Sequence, residues 1–158
     1  MNKKFELLLD DTITIFGIKL FRIKALISFG SVEEGELGGY IEKEDNLSFY
    51  GNAWVYGDAM VYGNAEVYGN AEVYGDAEVS GNAWVYGDAD YIVFKNHWSS
   101  GRYFTYTKSN KMWRVGCFYG TGQELIKKAY QDSEVSGKHY EAYVEFVEKL
   151  EKLEEAND

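Results

Sequence analysis

The chain has no proline among its 158 residues, a single cysteine, two histidines, and no apolar run approaching the length of a membrane span. Each absence removes something. Without proline, the tight turns fall to glycine, asparagine and aspartate, which tolerate the backbone angles that turns require. With Cys117 alone no intrachain disulfide can form, and a reducing interior is expected. His97 and His139 are too few for a zinc site built on three histidines. Neither a metal nor a cofactor is expected. The N-terminal Met-Asn-Lys-Lys is basic, but the apolar stretch 5–9 is short and is broken by Asp10 and Asp11. No signal peptide is expected there, and the protein reads as cytoplasmic and free of membrane partners.

What the chain has in quantity is aromatic residues and a repeat. Aromatics make up 17 % of it, with fourteen tyrosines. Over residues 51–89 the pattern Gly-(Asn/Asp)-Ala-x-Val-Tyr recurs every six residues without a slip, with Val55, Val61, Val67, Val73, Val79 and Val85 in one register. So strict a period makes every unit bend alike, which predicts a solenoid. Ala-x-Val-Tyr reads as a short strand that sends Ala and Val to one face and x and Tyr to the other. Gly-Asn or Gly-Asp turns the chain. Three such strands per coil would set each residue eighteen positions below its neighbour. Asn52 then matches Asn70, Asp58 matches Asp76, and Tyr56 matches Tyr74.

These hexads resemble the left-handed parallel β-helix of hexapeptide-repeat proteins. The lead-in that opens with Leu37-Gly-Gly-Tyr40 and closes at Ser48 is similar to phage and bacterial repeat proteins that carry generic transferase labels. The resemblance implies a mainly β fold: a short left-handed parallel β-helix with an N-terminal β cap, followed by a small antiparallel sheet and two helices. It also supplies the left hand, which periodicity does not. The expected organisation is a β cap over 1–46, the hexapeptide-repeat β-helix over 47–92, a basic aromatic β module over 93–121 and C-terminal helices over 122–158. Within the cap, strands are expected over 5–9, 12–16 and 20–26, joined by Asp-Asp and Gly17 turns. Beyond the hexads, strands are expected over 91–94, 103–107 and 112–119. Thr121 with Glu124 forms a capping box for a helix to about 131. Ser136 is expected to cap a last helix, whose apolar stripe is Tyr140, Tyr143, Val147, Leu150 and Leu153.

Function is less sharply written. Acyltransferases, carbonic anhydrases and inert scaffolds share the resembled fold. The two histidines argue against a carbonic anhydrase. Acyl transfer would need His97 as its base; the alternative is a turn histidine packed beside Trp98. Cys117 is a nucleophile only with a base nearby, and otherwise a buried strand cysteine. Asp58 over Asp76 could bind a cation, or could cap turn amides.

Charge is segregated. Residues 31–90 carry thirteen acids and one lysine, whereas residues 91–139 carry eight Lys or Arg and three acids. Against such an acidic repeat, long duplex nucleic acid is excluded as a partner. The basic module offers Trp98, Arg102, Tyr106, Lys108, Arg114 and Thr121 as a set that could stack a base and hold phosphates of a small nucleotide-like ligand; the alternative is that these aromatics are the core of a small sheet. Seven hexads also leave backbone edge open at both ends, which calls for caps or assembly. Trp54, Tyr56, Tyr62, Tyr68, Tyr74, Trp84 and Tyr86 are expected on the outward side, enough apolar surface to predict a homotrimer. The reading is a non-enzymatic, trimeric binding or scaffold protein. Its resemblance points to a phage protein in the host cytoplasm, evading host defence by binding a host protein or sequestering a nucleotide-like ligand. Acyl transfer at His97 is the alternative.

Overall fold

A computed structural model describes residues 3–156. The chain opens with a long hairpin, β1 (Phe5–Ile15) and β2 (Ile18–Ala25), turned at Phe16-Gly17 where both residues have positive φ. The pairing shifts register between Leu8 and Thr12, so Asp10 and Asp11 sit in a bulge of one continuous strand where a turn is expected from the sequence. β3 (Leu37–Ile41) pairs antiparallel with β2 and parallel with Met60 and Val61 of the hexads. Gly38 and Gly39 allow this. A Cβ on either would stand 2.5 Å from a backbone carbonyl, that of Val55 or Ala59.

The hexads then give six strands of two residues each: β4 (Trp54–Val55), β5 (Met60–Val61), β6 (Glu66–Val67), β7 (Glu72–Val73), β8 (Glu78–Val79) and β9 (Trp84–Val85). They pair in parallel as Val55 with Val73, Val61 with Val79 and Val67 with Val85, each eighteen residues apart. The hexad alanines and valines from Ala53 to Val85 are buried and form one apolar cluster with Phe5, Ile23, Ile41 and Leu47. Gly51, Gly57, Gly63, Gly69, Gly75 and Gly81 all sit at positive φ, which is why glycine recurs at each bend.

This architecture corrects the expected fold class. Among the described residues there is no extended left-handed parallel β-helix; the sheets are small and mixed. One five-stranded sheet, β1-β2-β3-β5-β8, joins antiparallel and parallel pairing, and β4-β7 and β6-β9 are two-stranded. The physical reason is economy of ladder. Each hexad commits two residues to pairing, and the parallel run stops after one or two steps because other elements take over both ends.

How the ends are closed follows from hydrogen-bond polarity. Each hexad donates its N–H groups to carbonyls eighteen residues or so ahead, as Trp54 N to Ala71 O and Met60 N to Ala77 O. Carbonyls are therefore left over at the start and N–H groups at the end. At the start, the Lys4 ammonium donates to Ala53 O at 2.7 Å, the Asn46 amide donates to Ala65 O at 2.8 Å, and Tyr40 N donates to Ala59 O. At the end the partners are acceptors. Tyr91 Oη receives Tyr74 N, Thr105 Oγ1 receives Glu78 N, and on the third face Ser109 Oγ receives Trp84 N and an Asp90 carboxylate oxygen receives Tyr86 N. The three faces are thus closed within one chain.

The closing acceptors belong to a second sheet, antiparallel β10 (Tyr91–Lys95), β11 (Tyr103–Thr107), β12 (Met112–Val115) and β13 (Phe118–Thr121), and to its turns. The expected strand over 112–119 is in fact a hairpin. Its turn holds Gly116 at positive φ and exposes Cys117, which corrects the expectation of a buried strand cysteine. Two helices cover this sheet, α1 (Gly122–Asp132) and α2 (Glu134–Ala156). Thr121 caps α1 with Glu124 in a reciprocal box. Ser133, not Ser136, caps α2, accepting from Ser136 N at 3.0 Å. Tyr140, Val144 and Val147 of α2 pack on Phe104, Tyr106 and Trp113 of the same chain. No helix among the described residues is long and apolar enough to cross a membrane.

Candidate functional site

The expected basic set does not converge. Trp98 is half-buried against α2, with the His139 ring stacked on it at 4.4 Å and Tyr143 at 5.8 Å, and its Nε1 donates to Ser136 Oγ. Tyr106 is buried, and its hydroxyl donates to Glu151 near the end of α2. Burial first, then that hydrogen bond, raises its pKa. Lys108 pairs with Glu154, and Lys111 pairs with Glu151 at 2.6 Å. Burial opposes ionisation of Glu151, but the Lys111 and Tyr106 hydrogen bonds outweigh it and hold its pKa low. Tyr106 and Lys108 are therefore spent on fastening the helix.

Arg114 is spent elsewhere. Its guanidinium lies over the Tyr119 and Tyr62 rings at 4.6 and 5.4 Å and donates to Ser80 Oγ at 3.1 Å. It fastens the second sheet to the hexads. Tyr62 beneath it is buried and donates to Glu78, and burial pushes the Tyr62 pKa up to about 12. Burial also raises the pKa of Glu78. Thr121 is occupied as a helix cap.

Arg102 alone of the set faces open space. It lines a cleft of about 300 Å³ bounded by the turn that follows β10, the Gly116-Cys117 turn, α1 and the first turns of α2. Its guanidinium has no ion-pair or hydrogen-bond partner among the described residues. Sequence reasoning missed the rest of this lining: Lys128, Asp132, Ser136 and Tyr140. Their four-residue spacing on consecutive helices was the available signal, since it sets side chains on one helical face.

The outward aromatics divide in two. Trp54 and Tyr62 are corrected as assembly residues, because both are buried inside the chain. Phe5, Phe29 and Phe49 enclose Trp54 and its surroundings, and Arg114 covers Tyr62. Tyr56 is half-buried, hydrogen-bonded to Ser31 and Glu72. Tyr74 is exposed beside Tyr91. The remaining residues form a column: Tyr68 packs on Tyr86 at 5.0 Å and on Trp84 at 6.3 Å. Tyr50, Trp84 and Tyr86 are 70, 47 and 58 % exposed.

His97 is an exposed turn residue whose ring stands edge-on to Trp98 and to His139, at 5.4 and 5.7 Å. Asp58 pairs with Arg22 at 3.5 Å, which occupies the carboxylate considered for a cation. The described residues contain no group of three or more His, Cys, Asp or Glu arranged to hold a metal. No protein-family model matches this chain, and no curated protein matches it.

Proposed function

We propose that this protein is a non-enzymatic binding scaffold that assembles as a homotrimer through the Tyr68, Trp84 and Tyr86 column. The observation that supports the reading is the exposure of Trp84 and Tyr86, packed around a half-buried Tyr68, beside neighbouring Ala83 and Val85 that are buried. Large aromatic side chains held by a rigid backbone lose little conformational entropy when covered, so they are favoured at contact surfaces. A threefold arrangement buries one column per copy around a common axis. On the resemblance of the 37–48 lead-in to phage repeat proteins, we assign the scaffold to a phage acting in the host cytoplasm. There it binds a host defence protein.

Substituting Trp84→Ala together with Tyr86→Ala tests the surface. Both side chains are about half exposed or more, so the variant keeps the wild-type circular dichroism spectrum. In sedimentation it is expected to run as a single copy where the wild type does not. A variant that sediments like the wild type would remove the column from the account. Acyl transfer at His97 has no geometric support, because the ring packs on Trp98 and His139 and is not part of the cleft lining. Incubation with acetyl-CoA and a panel of amines is expected to show no His97-dependent turnover.

A further inference from the structure

In the cleft beside Arg102 the hydrogen bonds share a direction. A hydroxyl can accept and donate at once. Five hydroxyl-bearing residues line the cleft, and the hydroxyls of three of them accept from an N–H of the protein. Tyr140 accepts from Asn96 Nδ2 at 3.1 Å, Ser136 from Trp98 Nε1 at 3.2 Å, and Ser100 from the backbone N of Arg102 at 3.2 Å. The Asn96 amide is fixed in that orientation because its oxygen receives Ser99 N and Ser99 Oγ. None of the three hydroxyls donates to an acceptor among the described residues. Their protons remain available to an occupant.

The charges agree. Lys128 and Asp132 on α1 pair at 3.2 Å and largely offset one another. Arg102 is left as the unmatched charge of the lining, in a chain with a net charge of −10. The other two arginines, Arg22 and Arg114, are both engaged within the protein. The same lining includes Phe104, Val115, Phe118 and Leu125, an apolar wall. A volume of about 300 Å³ falls at the small end of ligand sites.

From this we propose that the cleft is a binding site for a small organic oxyanion, a phosphate monoester on an aromatic or aliphatic body. Arg102 and the hydroxyls of Ser100, Ser136 and Tyr140 receive the oxyanion, and the apolar wall receives the body. Charge-assisted bonds from a guanidinium and several preset donors suit a group with three terminal oxygens. The site is independent of the aromatic column.

Cys117 provides the readout. It is the single cysteine, it is exposed, and it lines the same cleft, so an occupant shields it. The rate of its alkylation by iodoacetamide, a neutral reagent, is measured with phenyl phosphate, with AMP and with inorganic phosphate at matched ionic strength. Phenyl phosphate or AMP is expected to slow alkylation about tenfold at saturation, with inorganic phosphate much less effective, since it lacks a body to bury. Whichever of the two organic probes protects better separates a nucleotide ligand from other monoesters. In Arg102→Ala the protection is expected to weaken by about tenfold in affinity, and Arg102→Lys restores part of it. Arg102 is exposed and unpartnered, so its removal leaves the fold intact. Absence of protection by both organic probes, or equal protection in Arg102→Ala, overturns the site. Equal protection by inorganic phosphate overturns the assignment of an organic body.

Discussion

Lys4 and Asn46 stand at equivalent places on two faces of the hexad region, each supplying the donor that the next turn of chain would have brought. Asn46 is fully buried and uses its whole amide. Its nitrogen donates to Gly63 O and Ala65 O, and its oxygen accepts from Glu42 N and Lys43 N. Asn46→Leu leaves buried carbonyls and N–H groups without partners, so it is expected to lower unfolding free energy by about 3 kcal/mol in a urea titration. Lys4 differs by its charge. Its ammonium lies against the Phe29 ring and the Ala53 carbonyl, and burial brings its pKa down to about 8 from 10.5. Between those values the unfolded chain holds more protons than the folded one, so stability rises with pH through that window. Tyr62 works in the opposite sense only later. Its folded pKa of about 12 exceeds the ordinary 10.0, so its contribution is lost as pH climbs from about 10 upward. The expected profile gains about 1 kcal/mol between pH 8 and 9.5, and Lys4→Met flattens that gain. A wild-type profile already flat across this range would contradict the burial of a charged Lys4.

Among the elements, α2 carries the clearest local test. Ser133→Ala removes the side chain that accepts from Ser136 N, and a loss of about 1 kcal/mol is expected, as for other helix caps. The far end of the helix is held by Lys111 and Lys108 on Glu151 and Glu154. These elements also show what a sequence can convey. The Thr121 box was legible because its two partners lie three residues apart, and the eighteen-residue pairing was legible because repetition prints it directly. The mixed sheets were not legible. Nothing local in residues 5–25 says that β2 will take β3 on its edge, and Lys4 and Arg22 reach carbonyls and carboxylates some 35 to 49 residues away. The stretch around Cys117 misled for a related reason: its aromatics read as one strand, while Gly116 at positive φ folds it into two. Alternation predicts Trp54 and Tyr62 on the outward side, yet it carries no information about what buries them. Of the candidate site, Arg102 could be found because it sits in a turn. Tyr140 and Ser136 carried only their helical spacing as a signal, since their role depends on Asn96 and Trp98, roughly forty residues earlier.

For the whole molecule, the decisive balance is between apolar burial and charge. The column lies on the segment with thirteen acids to one lysine, and Glu66 is paired directly beside Trp84. Bringing three such segments together costs repulsion, which salt screens over a length of about 8 Å at physiological strength, while burial of the rings is little affected. Self-association is therefore expected to tighten from low to physiological salt, the reverse of an assembly held by ion pairs. A dissociation constant that weakens with added salt would rule out the apolar column as its basis. The closing of both hexad ends within one chain fits a lateral assembly rather than end-to-end extension of a backbone ladder. The most direct measurement is native mass spectrometry of the wild-type protein at physiological salt, diluted through the micromolar range. The account predicts a species of three copies, each of 18.1 kDa, that persists at the upper concentrations. A single copy at every concentration would contradict it.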